Sequence, residues 1–104
     1  MTNKELLELA AKAAGYEFLS YDDVTEEAFC RTTELGTFIW APQGNDGDAL
    51  RLAVSMKIDL FFGVDSVNVY FSEGELEVDF NGNPAAATRR AIVLAVAEIG
   101  RNMK

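Results

Sequence analysis

The stretch Trp40-Ala-Pro-Gln-Gly-Asn-Asp-Gly-Asp-Ala-Leu-Arg-Leu-Ala-Val54 marks where a strand ends and a helix begins. Trp40 closes an apolar run of strand character. Pro42 and Gly44 stop it, since proline has no ladder N–H and glycine favours a turn. With Asn45 as cap, Asp48 falls at the third helical position, where its carboxylate can return to the cap N–H. Asp46 and Asp48 also face the positive end of the helix dipole. Ala49, Leu50, Ala53, Val54 and Met56 are expected to supply the apolar cover, with Arg51 and Ser55 turned outward.

Upstream, residues 4–14 read as a helix capped by Asn3 or Thr2 and closed by Gly15, with Leu6, Leu9, Ala10 and Ala13 at helical spacing. Lys4, Glu8 and Lys12 line another face as i,i+4 pairs. Residues 16–21 read as a strand and residues 22–27 as an acidic loop. Residues 29–34 and 37–40 read as a hairpin around Leu35-Gly36. Downstream, residues 60–64 have strand character, and residues 67–71 and 76–80 alternate most cleanly. Val67, Val69 and Phe71 share one face, as do Leu76, Val78 and Phe80, and a tight turn at 72–75 joins the two strands. Asn83-Pro84 is a cap with proline at the first helical position. The helix it opens, through Arg101, is apolar along Thr88, Ala91, Ile92, Ala95, Val96 and Ile99. Arg90, Ala97, Arg101 and Lys104 lie on the reverse, flanked by Val93 and Leu94. A helix apolar over more than half its circumference calls for a second partner. The order is α-β-β-β-α-β-β-β-α, an α+β fold of a mainly antiparallel sheet packed with helices in a single domain, 1–104.

A chain of 104 residues can build one core without disulfides or a structural metal. Cys30 is the one cysteine, which excludes an intrachain disulfide and suits a reducing compartment. The first residues lack a signal-peptide pattern, and no apolar run approaches the roughly 20 residues that span a bilayer. A soluble cytoplasmic protein is the expectation. Net charge is −8, unevenly placed. No base stands between Lys57 and Arg89, where Asp59, Asp65, Glu73, Glu75, Glu77 and Asp79 lie. A counterion-releasing basic surface is what nucleic acid and anionic membranes require, so this balance argues against both and fits a basic partner or simple solubility.

The chain has no histidine, and Cys30 has no base to activate it. Asn45-Asp46-Gly47-Asp48 lacks the twelve-residue calcium loop with its terminal glutamate, and helix capping accounts for it. No glycine-rich phosphate loop follows a strand. The expectation is a non-enzymatic protein with no cofactor and no metal. Glu75, Glu77 and Asp79 alternate along one strand and share its polar face, with Asn68, Tyr70 and Ser72 expected opposite. That face could hold a cation, an acid–base pair or an acidic docking surface, and the plainest reading is the solvated side of a sheet. Trp40 is either a core indole or an interface anchor. Arg90 and Arg101 lie on a face that is either solvated or a partner contact. Arg89 and Arg90 stand near the helix start, where the dipole disfavours cations, which makes an ion pair with the acidic strands attractive.

Two segments carry a resemblance. Trp40-Ala-Pro42 with Asn45-Asp-Gly-Asp-Ala-Leu-Arg-Leu-Ala-Val54, and Ala86-Ala-Thr-Arg-Arg-Ala-Ile-Val93 through Ala97-Glu-Ile-Gly100, resemble a family of small uncharacterised proteins of tailed bacteriophages and prophages. The opening Ala10-Ala-Lys-Ala-Ala-Gly-Tyr16 is also similar. Met56-Lys57 stands where those proteins often have a leucine-glycine-like step, so the end of the second helix is expected to differ. The resemblance implies an accessory protein in a bacterial host cytoplasm, binding a host or phage protein; it brings no catalytic residue. Two other expectations stand beside it. One is a small-ligand pocket between the sheet and the second helix near Trp40 and Asp46. The other is self-association into a homo-oligomer through the C-terminal helix.

Overall fold

In the computed structural model, which describes residues 1–103, each helix starts where a side chain can satisfy its first N–H groups. In α1 (Asn3–Ala14) the Glu5 N–H donates to Thr2 Oγ1 and the Thr2 N–H donates to Glu5 Oε1. That reciprocal pair, the Thr2 backbone N–H first, holds the Glu5 carboxyl below its ordinary range. In α2 (Asp46–Ser55) and α3 (Pro84–Asn102) the caps are Asn45 and Asn83, which accept from Asp48 N–H and Ala86 N–H. Between the helices run β1 (Glu17–Asp22), β2 (Glu27–Thr32), β3 (Gly36–Trp40), β4 (Asp59–Phe62), β5 (Ser66–Phe71) and β6 (Gly74–Asp79). The fold is α+β, in the order read from the sequence.

The strands form two sheets, β1-β2-β3 and β4-β5-β6, each an antiparallel meander. Helix α3 lies between them. Ala91 and Ala95 pack on Val67 and Val69 of the second sheet. Ile92, Val93, Val96 and Ala97 pack with Leu6, Leu7, Ala10 and Ala11 of α1, Ala28 and Cys30 of β2, and Leu52 of α2. Small residues let α1 and α3 approach closely. At Gly100 the helices meet so tightly that an added Cβ would overlap the Leu9 carbonyl oxygen and stand 2.7 Å from its carbon.

Several side-chain expectations need correction, because what lies across each helix, and not its own pattern alone, decides which side chains are buried. Val93 and Ala97, assigned to the polar stripe of α3 or its flank, are buried, and the second partner of that helix is α1 of the same chain. Leu94 is packed against the same cluster. On α1, Leu7 and Ala11 are buried, and Lys12 turns to the Met103 carbonyl (3.0 Å). On α2 the buried leucine is Leu52, whereas Leu50 and Val54 are 60% and 70% exposed. The Asp48 carboxylate bonds the Ala41 N–H (3.0 Å) rather than that of the cap, tying the start of α2 back to the end of β3. After α2, Lys57 takes a positive φ of 56°, the region that suits glycine. Lys104 lies outside the described residues.

Candidate functional site

The register of the second sheet decides what its outer face carries. Asp59 pairs with Tyr70 and Tyr70 with Glu75; Phe61 pairs with Asn68 and Asn68 with Glu77; Ser66 pairs with Asp79. Side chains alternate across a strand, so these residues share the face that points away from α3. The inner-face partners Val67 and Val69 are fully buried, which fixes the register, since a one-residue slip would expose them.

Four carboxylates, from Asp59, Glu75, Glu77 and Asp79, thus share a face with an aromatic pair, Asp59 and Glu75 standing on either side of Tyr70. The Phe61 and Tyr70 rings meet edge to face, 5.2 Å between centroids and 88° between planes. Phe61 is 60% exposed, unusual for a phenylalanine with a core available. Ser66 Oγ donates to Glu77 Oε2 at 2.6 Å. Among the described residues, none of these four carboxylates joins an ion pair.

Of the residues singled out in the sequence, Tyr70, Glu75, Glu77 and Asp79 therefore lie together. Ser72, expected with Asn68 and Tyr70 opposite these carboxylates, is in the turn beyond β5, and the third residue opposite them is Ser66. Arg90 lines a cleft at the border of the face with Glu77 and Asp79. Trp40 is 3% exposed and stacked edge to face on Tyr16 at 5.3 Å, so it is a core residue and has no surface to offer a partner. Arg101 pairs with Glu98 near the far end of α3, a contact that raises the arginine's pKa. The ion pair expected between the N-terminal arginines and the acidic strands forms elsewhere. Arg89 binds Asp46 Oδ1 (2.6 Å) and the Gln43 carbonyl (2.9 Å), clipping α3 to the start of α2.

Phe61 and Asp59 were not anticipated, because residues 60–64 read as a uniform apolar run. Extending the alternation of β5 to its neighbour places Asp59 and Phe61 opposite Tyr70 and Asn68.

On the other side of β4 a groove of about 470 Å³ opens between α2, α3 and the strand. Leu50, Leu60, Phe62, Pro84 and Ile92 form most of it, and Phe62 is 63% exposed. Its polar groups are already used: Arg89 by Asp46 and Gln43, and Thr88 Oγ1 by the Pro84 carbonyl (2.8 Å). At the pocket expected near Trp40 and Asp46 the indole itself is packed in the core, but beside it a cleft of about 440 Å³ opens between the first sheet and the start of α2, lined by Glu27, Ile39, Ala41, Asn45 and Asp48. Cys30 is fully buried in β2, and burial pushes its thiol up to about 11. Among the described residues no cluster of histidine, cysteine and carboxylate side chains is arranged to hold a metal, and no helix is long and apolar enough to cross a membrane. Comparison with protein-family models, with curated proteins and with solved structures finds no match to this chain.

Proposed function

We propose that the chain is a non-enzymatic protein-binding module of phage or prophage origin, whose acidic sheet face docks a basic protein in the cytoplasm of a bacterial host. The observation that carries this reading is the set of unpaired carboxylates of Asp59, Glu75, Glu77 and Asp79 on one face with the exposed Phe61–Tyr70 pair. Unpaired like charges on one face repel each other, and a cationic partner relieves that repulsion while steering the encounter. The aromatic pair supplies the apolar anchor that charge alone lacks. The buried Cys30 thiol, held protonated at neutral pH, and the absence of histidine from the sequence support a role without nucleophilic chemistry. The resemblance of the helix-start segments to phage proteins supports a host factor as partner. A small apolar ligand in the groove beside β4 is the second reading, favoured by its volume; it lacks the free polar group that orients a small molecule.

The test is capture from a bacterial lysate at low and moderate salt. A partner held at low salt should be released at moderate salt and lost on the triple reversal Glu75→Lys, Glu77→Lys, Asp79→Lys. The same charge change placed at Glu8, Asp23 and Glu34 should leave it bound. Equal loss from both triple variants would reduce the effect to net charge and sink the docking face.

A further inference from the structure

We propose that the free edge of β4 accepts an extended segment of the basic partner as an additional strand, one whose side chains alternate between basic and apolar. This rests on the protein-binding reading above and specifies its geometry.

Strand β4 pairs with β5 alone, so its other edge carries no strand. The Gly63 N–H donates to the Ser66 carbonyl at 2.8 Å, which sets the phase of the ladder. Antiparallel pairs alternate between bonded and non-bonded, so Phe61/Asn68 and Asp59/Tyr70 are the bonded pairs, and the N–H and C=O groups of Leu60 and Phe62 point to the free edge. Among the described residues none of these four groups bonds to another element. An unpaired row of this kind is a template for strand addition.

The two faces beside this edge differ in chemistry. Leu60 and Phe62 look into the apolar groove with Leu50 and Ile92, while Asp59 and Phe61 look onto the acidic face. A strand laid along the edge would place successive side chains alternately in the groove and beside Asp59 and Phe61, whose carboxylate and ring face both attract a cation. Apolar residues suit the first position and lysine or arginine the second. Adjacent phenylalanines at 61 and 62, both exposed, are the matching pair on β4 itself. The opposite edge, β6, carries Glu75, Glu77 and Asp79 on its outer side but has Arg90 on its inner side, where the segment's apolar residues would fall.

The probe is an end-blocked peptide, Lys-Val-Lys-Val-Lys-Val-Lys, against a block peptide of identical composition, Lys-Lys-Lys-Lys-Val-Val-Val. The alternating peptide should bind, slow hydrogen exchange at the Leu60 and Phe62 amides, and exceed the block peptide by about tenfold in affinity. Phe62→Pro removes an N–H that no ladder bond uses, and should abolish the preference. Exchange on the unsubstituted protein keeps the test decisive if that variant fails to fold. Equal binding of both peptides, lost on the Glu75/Glu77/Asp79 reversal and indifferent to Phe62→Pro, would overturn strand addition and leave the acidic docking face standing. No binding of either peptide would overturn both. Protection of the same amides in a peptide-free dimer would assign the edge to a second copy of this chain and overturn the proposal.

Discussion

On the outer face of β1–β2–β3, Phe29 sits across from Ile39, and Glu17 and Arg31 neutralise each other through hydrogen bonds of 2.8 and 2.9 Å. On that of β4–β5–β6, four carboxylates stand without a cation on one face with a stacked aromatic pair. Both sheets have the same meander order, and both turn small or branched apolar residues inward from the central strand, Ala28 and Cys30 in one, Val67 and Val69 in the other. Folding constrains only the inner faces. The outer faces are free to differ, and the charge imbalance of the second carries the functional proposal.

The most damaging way to break the pairing of these halves is at the seam between α1 and α3. Gly100→Ala forces a methyl into the Leu9 backbone, which cannot rotate away as a side chain would. The loss should reach or exceed the top of the about 1–3 kcal/mol range for overpacked cores, read from denaturant midpoints. Amides of α1 should lose exchange protection before those of β5, because β5 packs on the other face of α3.

A smaller effect separates the central strands by chemistry. Cys30 titrates near 9 when free and is pushed up to about 11 by burial in the first sheet, whereas the second sheet has valines at its centre. Below about 9 both folded and unfolded chains keep the thiol protonated. As the pH rises from about 9 to 11 the unfolded chain releases a proton that the folded one retains, so stability falls. Cys30→Ala should flatten that alkaline decline. Part should remain from Tyr21, whose pKa burial also raises. An unchanged slope in the variant would place its origin outside the first sheet.

The mildest change is at the junction of the halves, where Lys57 holds a positive φ between α2 and β4. Lys57→Gly should stabilise by about 1 kcal/mol by removing the left-handed penalty, with peptide binding at β4 unaltered. Destabilisation would mean that the lysine side chain contributes more than its backbone costs.

What could be read from the chain beforehand was local. Thr2, Asn45 and Asn83 act on amides three residues away, and Val67, Val69, Leu76 and Val78 alternate within their own strands, so caps and the β5–β6 hairpin were legible. The burial of Leu52 rather than Leu50, of Val93 and of Ala97 depends on what lies across each helix, which no local window contains. The same holds for Asp48, whose partner is seven residues back, just past the end of β3. At the candidate site, Glu75, Glu77, Asp79 and Tyr70 were visible by alternation. Phe61 was hidden in an apolar run until β5 gave it a register.

Helix α3 completes both hydrophobic clusters, and it comes after every other element in the chain. During synthesis a ribosome therefore releases α1, α2 and all six strands before the wedge that separates and covers them. Until residues 84–102 emerge, Leu7, Leu52, Val67 and Val69 lack the α3 side chains that cover them, so neither cluster is complete in the nascent chain. The last of the nine elements thus closes two incomplete layers at once.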